Sequence, residues 1–157
     1  MTGIDGVVVT PVDRLTDERG SFSEIARFGD YRQANHSHSR RGVLRGLHYH
    51  ERQADLWYFV RGSAQVALVD LRTEPARPRV ATLTVGEPDP CTIYIPPRVA
   101  HGFLALTDVD LVYLVTQEYD ASDEHGIAWD DPALGIAWAL PDPVVSPRDR
   151  ANPRLHA

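Results

Sequence analysis

Six short runs rich in Val, Ile, Leu, Tyr and Thr succeed one another through the middle of this chain: Leu56–Val60, Ala64–Leu71, Arg79–Val85, Thr92–Ile95, Gly102–Leu106 and Val109–Thr116. The breaks between them carry turn chemistry, at Arg61-Gly62, Glu74-Pro75, Gly86-Glu87-Pro88, Pro96-Pro97 and Thr107-Asp108. Strands of this length, recurring roughly every ten residues, predict an all-β sandwich or barrel. Helical periodicity is confined to one expected short turn around Phe28–Gln33. The segment from Ala121 onward is rich in Asp, Pro and Trp and is expected to wrap over the barrel as ordered structure. The 12 prolines suit long, stiff loops around a jelly roll, and 157 residues suit a single domain.

Composition narrows the function classes. A formal charge of -6 argues against general nucleic-acid binding and against an anionic membrane surface, and no apolar run approaches the roughly 18 residues that span a bilayer. All 16 basic residues are arginine, so an anionic ligand would be held by guanidinium forks, and a mechanism that requires lysine fails. The single Cys91 excludes an intrachain disulfide and a Cys-rich zinc site. With neither a basic start nor an apolar run of signal-peptide length at the N-terminus, a cytoplasmic, reduced protein is expected.

Chemistry concentrates between Gly42 and Gly62. In a strand, His48 and His50 lie two apart and point to the same face. With Asp55 and the distant His101 they make the pattern Gly-x5-His-x-His-x4-Asp-x6-Gly followed by a further His. This resembles the first metal motif of the cupin superfamily, with Asp in place of Glu; the second motif is matched in part, since Arg98 and Ala105 stand where it has Gly and Asn. Three imidazoles and one carboxylate suit Zn, Fe, Mn, Ni or Co with a position left open. The plainer alternative is a pair of polar pocket histidines, with Asp55 paired to an arginine such as Arg52. A metal-bound nitrogen cannot also take a proton, so His48 is either a ligand or a base.

A narrower resemblance spans about residues 14 to 154. The segments Asp17-Glu18-Arg19-Gly20, Gln33-Ala34-Asn35-His36-Ser37, Gly42-Val43-Leu44-Arg45-Gly46-Leu47-His48-Tyr49, Val69-Asp70-Leu71-Arg72, Ile95-Pro96-Pro97, Ala100-His101-Gly102-Phe103 and the stretch from Trp129 to Trp138 look like the dTDP-4-dehydrorhamnose 3,5-epimerase family. That resemblance implies a cupin-type jelly roll, a homodimer, no metal cofactor, and inversion of centres beside the 4-keto group of a nucleotide-linked 6-deoxyhexose. It makes His48 the base, Asp149 the carboxylate that orients it, and Tyr113 the acid on the opposite face. Arg19 and Arg45 match diphosphate contacts. Glu24, Gln33 and Asn35 match positions lining the nucleotide or sugar, and Tyr119 an aromatic near the nucleobase. His36 and His101 match histidines of the pocket region, whereas His38, His125 and His156 are expected to be solvated.

Three positions depart from the family. Asp55 stands where the epimerases have a lysine that stabilises the enolate oxygen, Val66 replaces an active-site aspartate, and His50 stands where glutamine is common. Positive stabilisation of such an oxygen is worth about 3 to 4 kcal/mol by analogy with an oxyanion donor. An ion held by His48, His50, Asp55 and His101 would restore that charge. The sequence therefore carries three readings: an epimerase of a nucleotide-linked 4-keto-6-deoxyhexose in deoxysugar biosynthesis, a metal-dependent cupin enzyme, and a non-catalytic nucleotide-sugar binder. A homodimer is expected in each, with Val7-Val8-Val9 covering an exposed edge of the partner's sheet.

Overall fold

The computed structural model describes residues 2–18, 20–27, 29–73 and 78–155. Its strands are β1 (Val8–Pro11), β2 (Leu15–Asp17), β3 (Gly20–Phe22), β4 (Gln33–Ser39), β5 (Val43–Tyr49), β6 (Asp55–Arg61), β7 (Ser63–Asp70), β8 (Arg79–Gly86), β9 (Cys91–Ile95), β10 (Val99–Ala105), β11 (Val109–Val115), β12 (His125–Gly126) and β13 (Val144–Val145), followed by the short helix α1 (Pro147–Arg150). One sheet has the order β1-β9-β6-β11-β4 and the other β12-β5-β10-β7-β8, with β13 added to β5. The expected jelly roll is therefore present, and each of the six anticipated runs falls on a strand whose ends lie within three residues of those expected.

The two sheets close on a shared core. Trp57, Phe59 and Phe103 meet edge to face, at centroid separations of 5.9 Å for Trp57–Phe103 and 5.4 Å for Phe59–Phe103. Leu68, Ile93 and Val66 fill the space around them. Burying a side chain of this size stabilises the fold by about 1.5 to 3 kcal/mol. Val66 is thus a core residue. The hairpin between β6 and β7 turns at Gly62, whose φ is +81°; a Cβ there would lie 2.0 Å from the Asp108 carbonyl oxygen. Only glycine fits that close approach.

Strands β7 and β10 are buried along almost their whole length, because the C-terminal segment covers the outer face of their sheet. Gln65 pins that cover: its Nε2 donates to the Ala137 carbonyl and its Oε1 accepts from the Ala139 amide, each at 2.8 Å. Ile127 and Leu134 of the cover pack on Leu47, Ala67 and Val69 of the sheet, with Trp138 against them. The expected ordered wrap is present, and it holds the short helical turns of the fold, at Ala121–Asp123, Pro132–Leu134 and α1.

Two expectations are corrected. Residues 29–32 form no helical turn, and Gln33 already begins β4; Phe28 lies outside the described residues. Val8 and Val9, expected to join a partner's sheet, pair with Tyr94 and Ile93 of β9 in the same chain.

Candidate active site

Strand β4 shows why the sequence pattern was silent about it. Gln33, Asn35, Ser37 and Ser39 alternate with the exposed Ala34, His36 and His38. Its inward face is polar because it lines a cavity of about 560 Å³ instead of packing on the core. The opposite wall comes from the other sheet, through His48 on β5 and His101 on β10, which are direct cross-strand partners.

The close approach of β5 and β10 depends on Gly46. Its φ is +129°, and a Cβ there would lie 2.7 Å from the Gly102 Cα. The Gly46 amide donates to Asp149 Oδ2 at 3.1 Å, while Asp149 Oδ1 lies 2.7 Å from His48 Nε2. Asp149 is aimed by its place in α1. Ser146 caps that helix by accepting from the Asp149 amide at 3.0 Å, Pro147 starts it with a pre-set φ, and Asp149 occupies its first turn. Burial alone would raise the Asp149 carboxyl. The hydrogen bond and charge of His48, with the Gly46 amide, outweigh burial and hold it below the usual carboxylate range. An ionised Asp149 accepts the proton on Nε2 of His48, which leaves Nδ1 as the basic nitrogen.

Tyr113 lines the same cavity from β11, in the sheet opposite His48. Burial first, and then the charges of Asp55 and Glu124, raise its phenol above the ordinary value, with Arg45 pulling the other way. It is therefore protonated at neutral pH. Arg45 is held by Ser39 Oγ at 2.9 Å and by the His38 carbonyl at 3.0 Å. Gln33 donates to Asn35 Oδ1 at 2.8 Å and accepts the Tyr119 amide at 2.9 Å, which sets the Tyr119 backbone at the cavity mouth although its side chain is largely exposed.

Asp55 and His101 are buried, and His50 is half-buried beside them. One potential ligand atom from each lies within 4.8 Å of the other two. His48 is not in this group, so the expected four-ligand set reduces to three: its Nε2 is committed to Asp149. Asp55 does not pair with Arg52, which binds Asp120 at 2.6 Å; it accepts instead from Gln53 Nε2 at 2.8 Å and Trp57 Nε1 at 3.1 Å.

Among the other candidates, Glu24 is absent from the cavity wall and pairs with Arg27. Arg19 lies outside the described residues, as does His156. His36, matched to the pocket, faces outward to Asp110 at 3.1 Å, and His38, expected to be solvated alone, shares that carboxylate at 2.9 Å. His125 stacks on Tyr49 with centroids 5.1 Å apart. Three lining residues escaped sequence reasoning. Ser37 carries a buried hydroxyl with no hydrogen-bond partner among the described residues. Asp123 receives the amides of Glu51 and Arg52 at 2.9 and 3.3 Å, fixing the loop after His50. Arg148 sits at the rim, paired with Glu124 at 2.8 Å; its place beside Asp149 was the available signal.

Comparison with known proteins bears on the family and the fold. The family model described as dTDP-4-dehydrorhamnose 3,5-epimerase matches residues 1–157. The spore coat polysaccharide biosynthesis protein SpsL of Bacillus subtilis is 39% identical over 145 residues, covering 86% of this chain and 96% of that protein. The solved rmlC epimerase of Mycobacterium tuberculosis superposes with a TM-score of 0.90 at 33% identity, covering 98% of this chain and 86% of that one. A 3'-monoepimerase from Streptomyces bikiniensis, solved in complex with dTDP-quinovose, gives a TM-score of 0.90 at 31% identity over 98% of this chain and 86% of that one. With its whole length matched by the family model and its fold by the solved epimerases, this chain belongs to the dTDP-4-dehydrorhamnose 3,5-epimerase family.

Proposed function

We propose that this chain inverts C3, C5 or both in a dTDP-linked 4-keto-6-deoxyhexose, by removing and returning a proton alpha to the ketone. The observation that carries this reading is the His48–Asp149 pair, at 2.7 Å, in a cavity whose opposite sheet supplies Tyr113. His48 Nδ1 takes the carbon-bound proton, the electron pair moves into an enolate, and the ionised Asp149 stabilises the resulting imidazolium. Tyr113 then gives its phenolic proton to the other face of the same carbon, and the tyrosinate and imidazolium are reset through solvent. A base and an acid on opposite walls deliver inversion; a single group on one wall would return the original centre.

Arg45 is assigned to the diphosphate, because a guanidinium already steadied by two neighbours loses little further freedom on binding phosphate. Gln33, Asn35 and Tyr119 are assigned to the sugar and nucleobase end. The hairpin of β2 and β3 carries Leu15 and Phe22 at 66% and 65% exposure, apolar area that supports a homodimer. A monomeric mass at micromolar concentration would refute the dimer. No helix among the described residues is long and apolar enough to cross a membrane, and we assign the protein to the cytoplasm together with its nucleotide-sugar substrate.

The test is proton NMR of dTDP-4-keto-6-deoxyglucose incubated with the protein in heavy water. Deuterium at C3 or C5 is expected and identifies the centre addressed. Tight binding of the nucleotide sugar without exchange would sink the enzyme reading in favour of a binding protein.

A further inference from the structure

We propose that His50, Asp55 and His101 bind one divalent first-row transition-metal ion in the wall of the sugar cavity, next to His48 and Tyr113 but using neither. Hydrogen bonding settles the state of both imidazoles. His50 Nδ1 lies 2.7 Å from the Asp123 carbonyl oxygen and His101 Nδ1 lies 2.9 Å from the Val99 carbonyl oxygen. A carbonyl oxygen only accepts, so each Nδ1 carries the proton and, in the neutral ring, each Nε2 carries a lone pair. Asp55, its two oxygens steadied by Gln53 and Trp57, faces them, with Oδ2 3.7 Å from His101 Nε2.

Three electron-pair donors therefore converge with no proton to share among them. Gathering them out of water costs free energy unless a positive charge sits between them. Among the described residues no arginine pairs with Asp55. Two imidazoles and one carboxylate, each held from behind by a backbone carbonyl or a side-chain donor, make a donor set and an outer layer suited to Zn, Mn, Fe, Co or Ni with positions left open to a ligand.

The inference rests on the epimerase reading only for its use: the ion places a positive charge at the position where the family's lysine gives way to Asp55, and one cause then accounts for His50 and Asp55 together. His48 keeps the proton chemistry, because Asp149 occupies its Nε2.

The probe is cobalt(II) alone, added to chelator-stripped protein without substrate and followed by its visible absorption and by titration calorimetry. Binding of one cobalt per chain is expected, with His50→Gln and Asp55→Asn each weakening it by about 100-fold or more. His36→Gln, on the outside of the barrel, should leave it unchanged, and thermal unfolding shows whether each variant is folded. Failure of the wild type to bind, or equal binding by a folded His50→Gln, overturns the site. A protein that binds cobalt but exchanges no deuterium into the sugar supports the site and overturns the epimerase reading. One that exchanges deuterium and binds no cobalt overturns the site alone.

Discussion

The chain carries the same tripeptide pattern twice within fifteen residues, His36-Ser37-His38 on β4 and His48-Tyr49-His50 at the end of β5, and the two copies have opposite fates. On β4 both imidazoles point to the outside of their sheet and share Asp110 with Arg61. On β5 both point into the cavity: one meets the buried Asp149, the other stands beside the buried Asp55. In both places histidines and a carboxylate come together, yet only the inner copy is shielded from water, and shielding is what makes a charge–imidazole pair strong enough to direct a proton or a metal. Residue type offers the chemistry; the face of the sheet decides whether it is used.

Substitutions at the two copies should separate them most sharply. His48→Ala is expected to lower the rate of deuterium exchange into the sugar by about 10⁴-fold, the upper range for loss of a general base, whereas His36→Ala and His38→Ala should leave it within a factor of about two. Equal losses at the two sites would break the comparison. Tyr113→Phe, which removes the acid but not the base, should lower epimer formation by about 10²-fold while exchange at the proton-abstraction step persists; NMR reads both in one sample.

Stability effects come next in size. Gly46→Ala puts a methyl group 2.7 Å from the Gly102 Cα at a positive φ and should cost about 1 to 3 kcal/mol in denaturant unfolding, with loss of activity because the same strand carries His48. The smallest expected effect lies on the outer face. Asp110 is held down to about 2 by its hydrogen bonds to His38 and Arg61, with a further one to His36. A depressed carboxyl contributes stability above its unfolded value of 3.8 that is lost as pH falls through the folded value. Asp110→Asn should therefore flatten the unfolding profile between about pH 4 and pH 2 and lower stability slightly above pH 4, neutrality included, because the contribution it removes is fully present there.

Much of the fold was legible because the central strands bury apolar side chains, and burial leaves a pattern in sequence. β7 and β10 read clearly for that reason. β4 did not: its inner face is Gln33, Asn35, Ser37 and Ser39, and a strand that lines a polar cavity shows no hydrophobic alternation. The expected helical turn before it arose from the same gap in the pattern. The site divided likewise. Family motifs singled out His48, Asp149 and Tyr113; the structure brings His48 and Tyr113 to one cavity, with Asp149 hydrogen-bonded to His48. Matching by position also nominated Glu24 and His36, which stand elsewhere, and missed Ser37 and Asp123, whose significance lies in contacts across the sheets.

What the sequence determined by itself is local or compositional: strands separated by Gly and Pro turns, an arginine-only set of cations, and motifs specific enough to identify a family. What only the tertiary structure decided is the partner of each titratable group. His48 turns to Asp149, 101 residues away, and His50 to the Asp123 carbonyl, 73 residues away. Which nitrogen of each neutral ring carries the lone pair follows from those partners, because the nitrogen facing an acceptor holds the proton and leaves the lone pair on the other.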